Sequence, residues 1–285
     1  MAMPSDKQRL RLVTHMCPSL PVELYELLMS YLEDEAGCEA TLQYESRAPG
    51  PLPGRPDPFT TDAIDLAFMT PTAFVNLVDG GNSDAELLPV TPVFCHAKNP
   101  REEKGYYADI IIHKDRSKHV KEFADLRGCR WAYSHEESLS GSLVVLKKLR
   151  EMGENAAFFG DTVRSGSHLR SLQLVLGKKA EAAAVDANCL AYYRSYLQDW
   201  GRDIKVLESI GPLPPYPIVV NKRLSDALKA RLVEALLNFS ETKFWGGRGE
   251  VYGLRKFVPN SAGTYEGVRE YKRDVEQPGI GLRYY

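Results

Sequence analysis

Short β-rich runs alternate with helix-period segments along most of this chain, and that alternation leaves few folds open. "LRLVTHM" (10–16) reads as a strand and "PVELYELLMSYLEDEAG" (21–37) as a helix closed by Gly37. "ATLQYES" (40–46) is strand-like, and the five prolines of "RAPGPLPGRPDP" (47–58) then enforce a loop. "AIDLAFM" (63–69) and "YYADIIIHK" (106–114) read as strands, "LLPVTPVFCHA" (87–97) as extended, and "FADLRGCRWAYS" (123–134) as a loop entering a strand. Further helices are expected after the serine-rich stretch 138–142, over 167–179, over 188–200 and over 225–239, with strands at 181–187, 204–210 and 216–220. The chain beyond Phe257 reads as polar and irregular. Successive βα units predict an α/β fold, a mostly parallel sheet with helices on both faces, and the 285-residue length favours two lobes.

Composition removes several function classes. A formal charge of −2 gives no broad electrostatic grip on nucleic acid or an acidic membrane. No apolar run reaches the roughly 20 residues of a membrane span. The start, "MAMPSDKQRLRLVTHM", lacks the apolar core of a secretory signal. A chain complete as written is therefore expected in the cytoplasm, and one whose leader has been removed in the periplasm. Five cysteines, an odd number with no CxxC pair, favour reduced thiols over a disulfide framework or a zinc site. No cofactor or metal is expected; His113 and His119 of "HKDRSKH" read as part of a solvated loop.

In open α/β sheets ligands bind outside the carboxyl ends of strands, where helices begin. The stretch "YSHEESLSGS" (133–142) is the richest such turn. Ser138, Ser140 and Ser142 each offer a hydroxyl, and Gly141 allows close approach to the backbone. Helix-start N–H groups and the helix dipole favour an anion there; a plain capping turn is the alternative reading. His168, at another helix start, offers a ring donor or serves the structure alone. Asp186 ends a strand of small residues and is either a site carboxylate or the cap of the next helix. Thr70 at an N-cap, with Pro71 at the first helical position, opens the helix 70–78.

Taken together, "YYADIIIHKDRSKHVKEFADLRGCRWAYSHEESLSGSLVVLKKL", "RSGSHLRSLQLVLGKKAEAAAVDANCL", "ESIGPLPPYPIVV" and "YGLRKFVPNSAGTYEGVREY" resemble the phosphonate-binding (PhnD-type) substrate-binding components of ABC transporters over residues 10–273. The resemblance implies a two-lobed, type II periplasmic-binding-protein-like fold. Its first lobe would be residues 1–103 plus 206–285 and its second 104–205, with a ligand cleft between them. It implies a small anionic ligand of the phosphonate, phosphate or phosphite class, and a transporter permease as partner if the chain is exported. Carried over by position, the ligand residues are Ser138, Ser140, Gly141, Ser142, His168, one or both of Tyr106 and Tyr107, and Asp186 as acceptor, with Thr70 substituting for a small polar turn. Leu139 stands where the family usually has threonine. Two other classes stay open: an enzyme on the same fold, of pyrimidine-precursor or menaquinone-pathway type, and an interaction protein that has lost its ligand. Ser140, His168 and Asp186 are the residues a catalytic triad would use, although no G-x-S-x-G elbow is present.

Overall fold

The computed structural model describes residues 8–196 and 200–276. The early segments become β1 (Arg9–Thr14), α1 (Val22–Glu35), β2 (Glu39–Tyr44), β3 (Leu66–Phe68), α2 (Pro71–Asp79), β4 (Ala85–Leu87) and β5 (Val90–Phe94). Next come β6 (Tyr106–His113), β7 (Arg130–Tyr133), α3 (Val144–Glu151), β8 (Asp161–Arg164), α4 (His168–Leu176), β9 (Ala182–Asp186), α5 (Ala187–Tyr196) and β10 (Ile204–Leu213). β11 (Ile218–Asn221), α6 (Asp226–Leu237), α7 (Lys243–Gly249), β12 (Leu254–Pro259) and α8 (Glu266–Glu276) follow. The helix expected over 188–200 is α5; residues 197–199 lie outside the described residues, as do 1–7 and 277–285 of the expected lobes.

The chain forms two compact units. The first takes the chain up to Phe94 together with Pro215–Thr264; the second takes Cys95–Pro214 and the chain from Tyr265 onward. In the first, a five-stranded sheet has the order β2-β1-β3-β11-β4, and β5 pairs with β12 in a separate ribbon. β1 runs parallel to β2 and β3, whereas β11 is antiparallel to both β3 and β4. β11 re-enters the sheet only after the whole of Cys95–Pro214, so no short βα crossover sets its direction. The carboxyl ends of β1, β2 and β3 share one edge, where Thr70 caps α2 by accepting from Ala73 N at 3.3 Å, with Pro71 at the first helical position.

In the second unit the order is β10-β6-β9-β7-β8. β7 is parallel to β8 and β9, while β6 is antiparallel to β9 and β10. The expected α/β architecture is present, and its sheets are mixed. β9 explains how the second unit packs: Ala182, Ala183 and Ala184 are fully buried, and the small side chain of Ala183 shares a cluster with Leu172 and Val175 of α4. Each such aliphatic side chain contributes roughly 1.5–3 kcal/mol when buried. Trp131 of β7 is fully buried and stacks on Phe159, with ring centroids 4.5 Å apart. No helix among the described residues is long and apolar enough to cross a membrane.

The reading of the chain beyond Phe257 as irregular is corrected. It continues β12 and then forms α8, whose Val268 is fully buried while its other positions are mostly charged. The apolar residues Val268, Tyr271 and Val275 recur at helical spacing, but the charged residues between them lower the segment's overall hydropathy. α8 is tied to α3 by an ion pair from Lys147 to Asp274 at 2.9 Å, and the same ammonium lies 4.7 Å from the Tyr271 ring centroid.

Candidate functional site

The serine-rich stretch after β7 enters α3 through an N-cap at Ser138 and a widened first turn. Leu139–Leu143 form a π-helical turn that leads directly into α3. Ser138 organises it alone. Its Oγ accepts from Gly141 N at 3.1 Å, and its carbonyl accepts from Ser142 N at 3.0 Å and from Leu143 N at 2.9 Å. Three successive amides are thus tied to one residue. The N–H groups of Leu139 and Ser140 belong to the first turn, which a helix leaves without intrahelical partners. π-turns inside helices occur frequently at functional sites. Ser138, Ser140 and Ser142 are all buried, and Leu139 is buried as an apolar core residue of the same turn.

Gly141 is required by space and not by backbone conformation, since its φ lies outside the left-handed region. A Cβ there would sit 2.4 Å from Ser134 Oγ, 2.9 Å from Ser138 Oγ and 3.0 Å from His168 Cε1. Two hydroxyls and an imidazole therefore crowd one face of the glycine.

His168 reaches this turn from the first residue of α4, which Ser167 caps by accepting from Arg170 N at 3.1 Å. Its Nδ1 accepts the backbone N–H of Asp186 at 3.2 Å. A neutral ring whose Nδ1 is an acceptor carries its proton on Nε2. That Nε2–H lies 3.4 Å from both Ser138 Oγ and Ser140 Oγ, beyond the ordinary N–H···O range, so it is shared weakly between them and open to a better acceptor. Burial, then the neighbouring His135, pushes the His168 pKa down to about 3, which keeps the ring neutral.

Asp186, at the end of β9, is 3% exposed, and its Oδ1 accepts from Asn188 N at 2.8 Å. It therefore caps α5 while remaining a buried carboxylate. Tyr106 is buried at the start of β6. Burial and then the Asp186 carboxylate raise its phenol pKa far above the ordinary value, against a hydrogen bond with Ser140 that acts the other way. Tyr271 of α8 acts on Tyr106 in the same upward direction.

Ser138, Ser140, Gly141, Ser142, His168, Asp186 and Tyr106 are thus gathered around one turn of the second unit. Tyr107 stands apart, because neighbouring residues of a strand face opposite sides. Its hydroxyl donates to the Lys98 carbonyl at 3.1 Å and its ring stacks on His96, centroids 4.3 Å apart. Thr70 belongs to the first unit, where its Oγ1 lies 3.2 Å from that of Thr72. Sequence reasoning missed Ser134, the residue directly after β7, and Tyr271, which was hidden in a stretch read as irregular. Ser134 lies inside the stretch 133–142 but carries no mark there that sets it apart, whereas the spacing of Tyr271 from Val268 could have found the second.

The arrangement is not a hydrolytic triad. A triad histidine donates Nδ1–H to a carboxylate, whereas Nδ1 here is an acceptor of a backbone N–H.

His168 and the buried His15 of the first unit share a consequence for stability. Burial pushes the His15 pKa down to about 4, against opposing effects of Glu45 and the Ala48 backbone. An unfolded histidine takes up a proton near pH 6.5 that these folded rings refuse. The unfolded state therefore binds more protons on acidification, and stability is lost as pH falls from about 6.5 towards 4. The slope is at most about 1.4 kcal/mol per pH unit per histidine. Urea midpoints measured from pH 7 to 4.5 should fall, and His15→Phe should flatten the decline; an unchanged slope in that variant would remove His15 as a cause.

The family described as "ABC transporter, phosphonate, periplasmic substrate-binding protein" matches residues 15–265. Among solved structures, a binding-protein component of an ABC phosphonate transporter from Pseudomonas aeruginosa superposes with a TM-score of 0.73 at 16% identity, covering 94% of this chain and 86% of that one. PhnD1 from Prochlorococcus marinus, in complex with methylphosphonate, gives a TM-score of 0.73 at 14% identity over 93% of this chain and 97% of its own. The periplasmic aliphatic sulphonate binding protein SsuA from Escherichia coli gives 0.62 at 14% identity, covering 97% and 96%. No curated protein matches the sequence. The chain belongs to the phosphonate-binding family of ABC-transporter substrate-binding proteins.

Proposed function

We propose that the second unit binds a phosphorus oxyanion, a phosphonate, phosphite or phosphate, at the Ser138–Gly141 turn, and that the protein presents it to an ABC-transporter permease. His168 Nε2–H, the Ser138 and Ser140 hydroxyls and the first-turn amides donate to the oxyanion. Tyr106 adds its hydroxyl beside Ser140. The carboxylate of Asp186 accepts from whatever donor the ligand retains, a P–OH group or an ammonium on the organic arm.

One observation carries this reading. His168 Nε2 lies 3.4 Å from each of two serine hydroxyls, so its N–H stays open to a better acceptor, while its other ring nitrogen is held by the backbone N–H of Asp186, whose carboxylate is buried. That combination suits an anion that still carries a proton. It disfavours sulfate and sulfonates, which have no proton to offer Asp186 and would set two negative charges against each other.

Thermal unfolding against methylphosphonate, 2-aminoethylphosphonate, phosphite, phosphate, sulfate and methanesulfonate tests the reading. A ligand at about 100 times its dissociation constant adds about 2.7 kcal/mol. Phosphorus oxyanions should raise the melting temperature and the sulfur oxyanions should not. Asp186→Asn, whose amide can donate, should lose that discrimination and accept methanesulfonate. A wild type stabilised equally by methanesulfonate and methylphosphonate would contradict the role given to Asp186.

A further inference from the structure

We propose that Ser134 is an additional ligand-site residue, its hydroxyl satisfied only when an oxyanion, with any water it brings, occupies the serine turn. This rests on the reading of the second unit as an oxyanion site.

Ser134 is the first residue beyond β7, at the strand's carboxyl end. It is 1% exposed, and its Oγ has no hydrogen-bond partner among the described residues. Its backbone is not at fault, because its carbonyl accepts from Gly166 N at 2.8 Å. The hydroxyl faces the side of Gly141 that Ser138 Oγ and His168 Cε1 also face. Ser142, fully buried in the same turn, likewise has an Oγ without a partner among the described residues.

A buried hydroxyl without a partner destabilises the fold that keeps it. Nearby the fold readily satisfies a serine: Ser165 Oγ lies 3.0 Å from the Tyr133 carbonyl, 3.0 Å from the Ser167 carbonyl and 2.7 Å from Ser171 Oγ. Alanine at 134 would fill nearly the same space without an unmet polar atom. The unliganded fold therefore gives no reason for the hydroxyl. An occupant drawing on the neighbouring donors of Ser138 and His168 does.

A structural serine and a ligand serine respond to truncation with different signs. Ser134→Ala should raise the melting temperature of the unliganded protein and weaken methylphosphonate binding, measured by calorimetric titration, by about tenfold. Ser165→Ala, which removes a satisfied hydroxyl, should lower the melting temperature. An affinity within twofold of wild type in Ser134→Ala would overturn the proposal, and so would a melting temperature and an affinity that fall together. If wild type itself binds none of methylphosphonate, phosphite and phosphate, the reading beneath the proposal fails and the proposal goes with it. The wild-type titration distinguishes that failure from one confined to Ser134.

Discussion

Gly141→Ala is expected to abolish oxyanion binding while leaving the protein folded. The new methyl carbon would arrive 2.4 Å from Ser134 Oγ, 2.9 Å from Ser138 Oγ and 3.0 Å from His168 Cε1, all closer than ordinary contact. The serine rotors can turn away, but turning Ser138 breaks its bond to Gly141 N and loosens the residue that ties three amides together. The imidazole has less freedom, since Asp186 N–H holds its other nitrogen. Overpacking of this kind costs about 1–3 kcal/mol, which a domain of ordinary stability survives. The site does not survive it, because the donors lose their common focus. Chemical denaturation should show the modest loss, and calorimetry should show no heat with methylphosphonate at 100 times the wild-type dissociation constant. Wild-type affinity in the alanine variant would mean that the ligand sits elsewhere.

His168→Ala should weaken methylphosphonate binding about 100-fold, the value of one hydrogen bond to a charged group at about 2.7 kcal/mol. His168→Gln offers a sharper comparison. Glutamine carries an oxygen that can accept from Asp186 N–H and an amide nitrogen that can donate, the division of labour found in the histidine. It should bind within about tenfold of wild type. Because the ring's pKa is pushed down to about 3, His168 stays neutral from pH 5 to 8. In the unliganded protein the ring therefore donates through Nε2 as a neutral imidazole across that range. A glutamine variant as weak as the alanine variant would show that the imidazole does more than donate one hydrogen bond.

The fold was legible wherever apolar periodicity was strong. β1, α1, β6, β9 and α6 stand close to their expected places, because a buried strand or a one-sided helix leaves its spacing in the sequence. β4, β8, α7, β12 and α8 were missed. β8 is short and has no fully buried residue, and α8 alternates charges so densely that its buried positions do not stand out. The antiparallel entry of β11 was hidden because pairing direction depends on topology and not on local pattern.

Within the site, the hydroxyl-rich turn was evident from Ser138, Ser140 and Gly141, but its π geometry was not. The tautomer of His168 needs the Asp186 N–H, which only the folded chain brings to the ring. The separation of Tyr106 from Tyr107 could have been deduced, since two successive strand residues cannot face the same side. Ser134 is a different case: what marks it is a missing partner, and no sequence records that.

The most direct test is an NMR titration of the nitrogen-15-labelled protein with methylphosphonate, following backbone amides and histidine ring nitrogens together. Binding at the serine turn should move the Leu139, Ser140 and Gly141 amides, slow the exchange of the His168 Nε2 proton, and leave its Nδ1 unprotonated. Saturation that leaves these signals unmoved while others shift would place the ligand outside the turn and contradict the account.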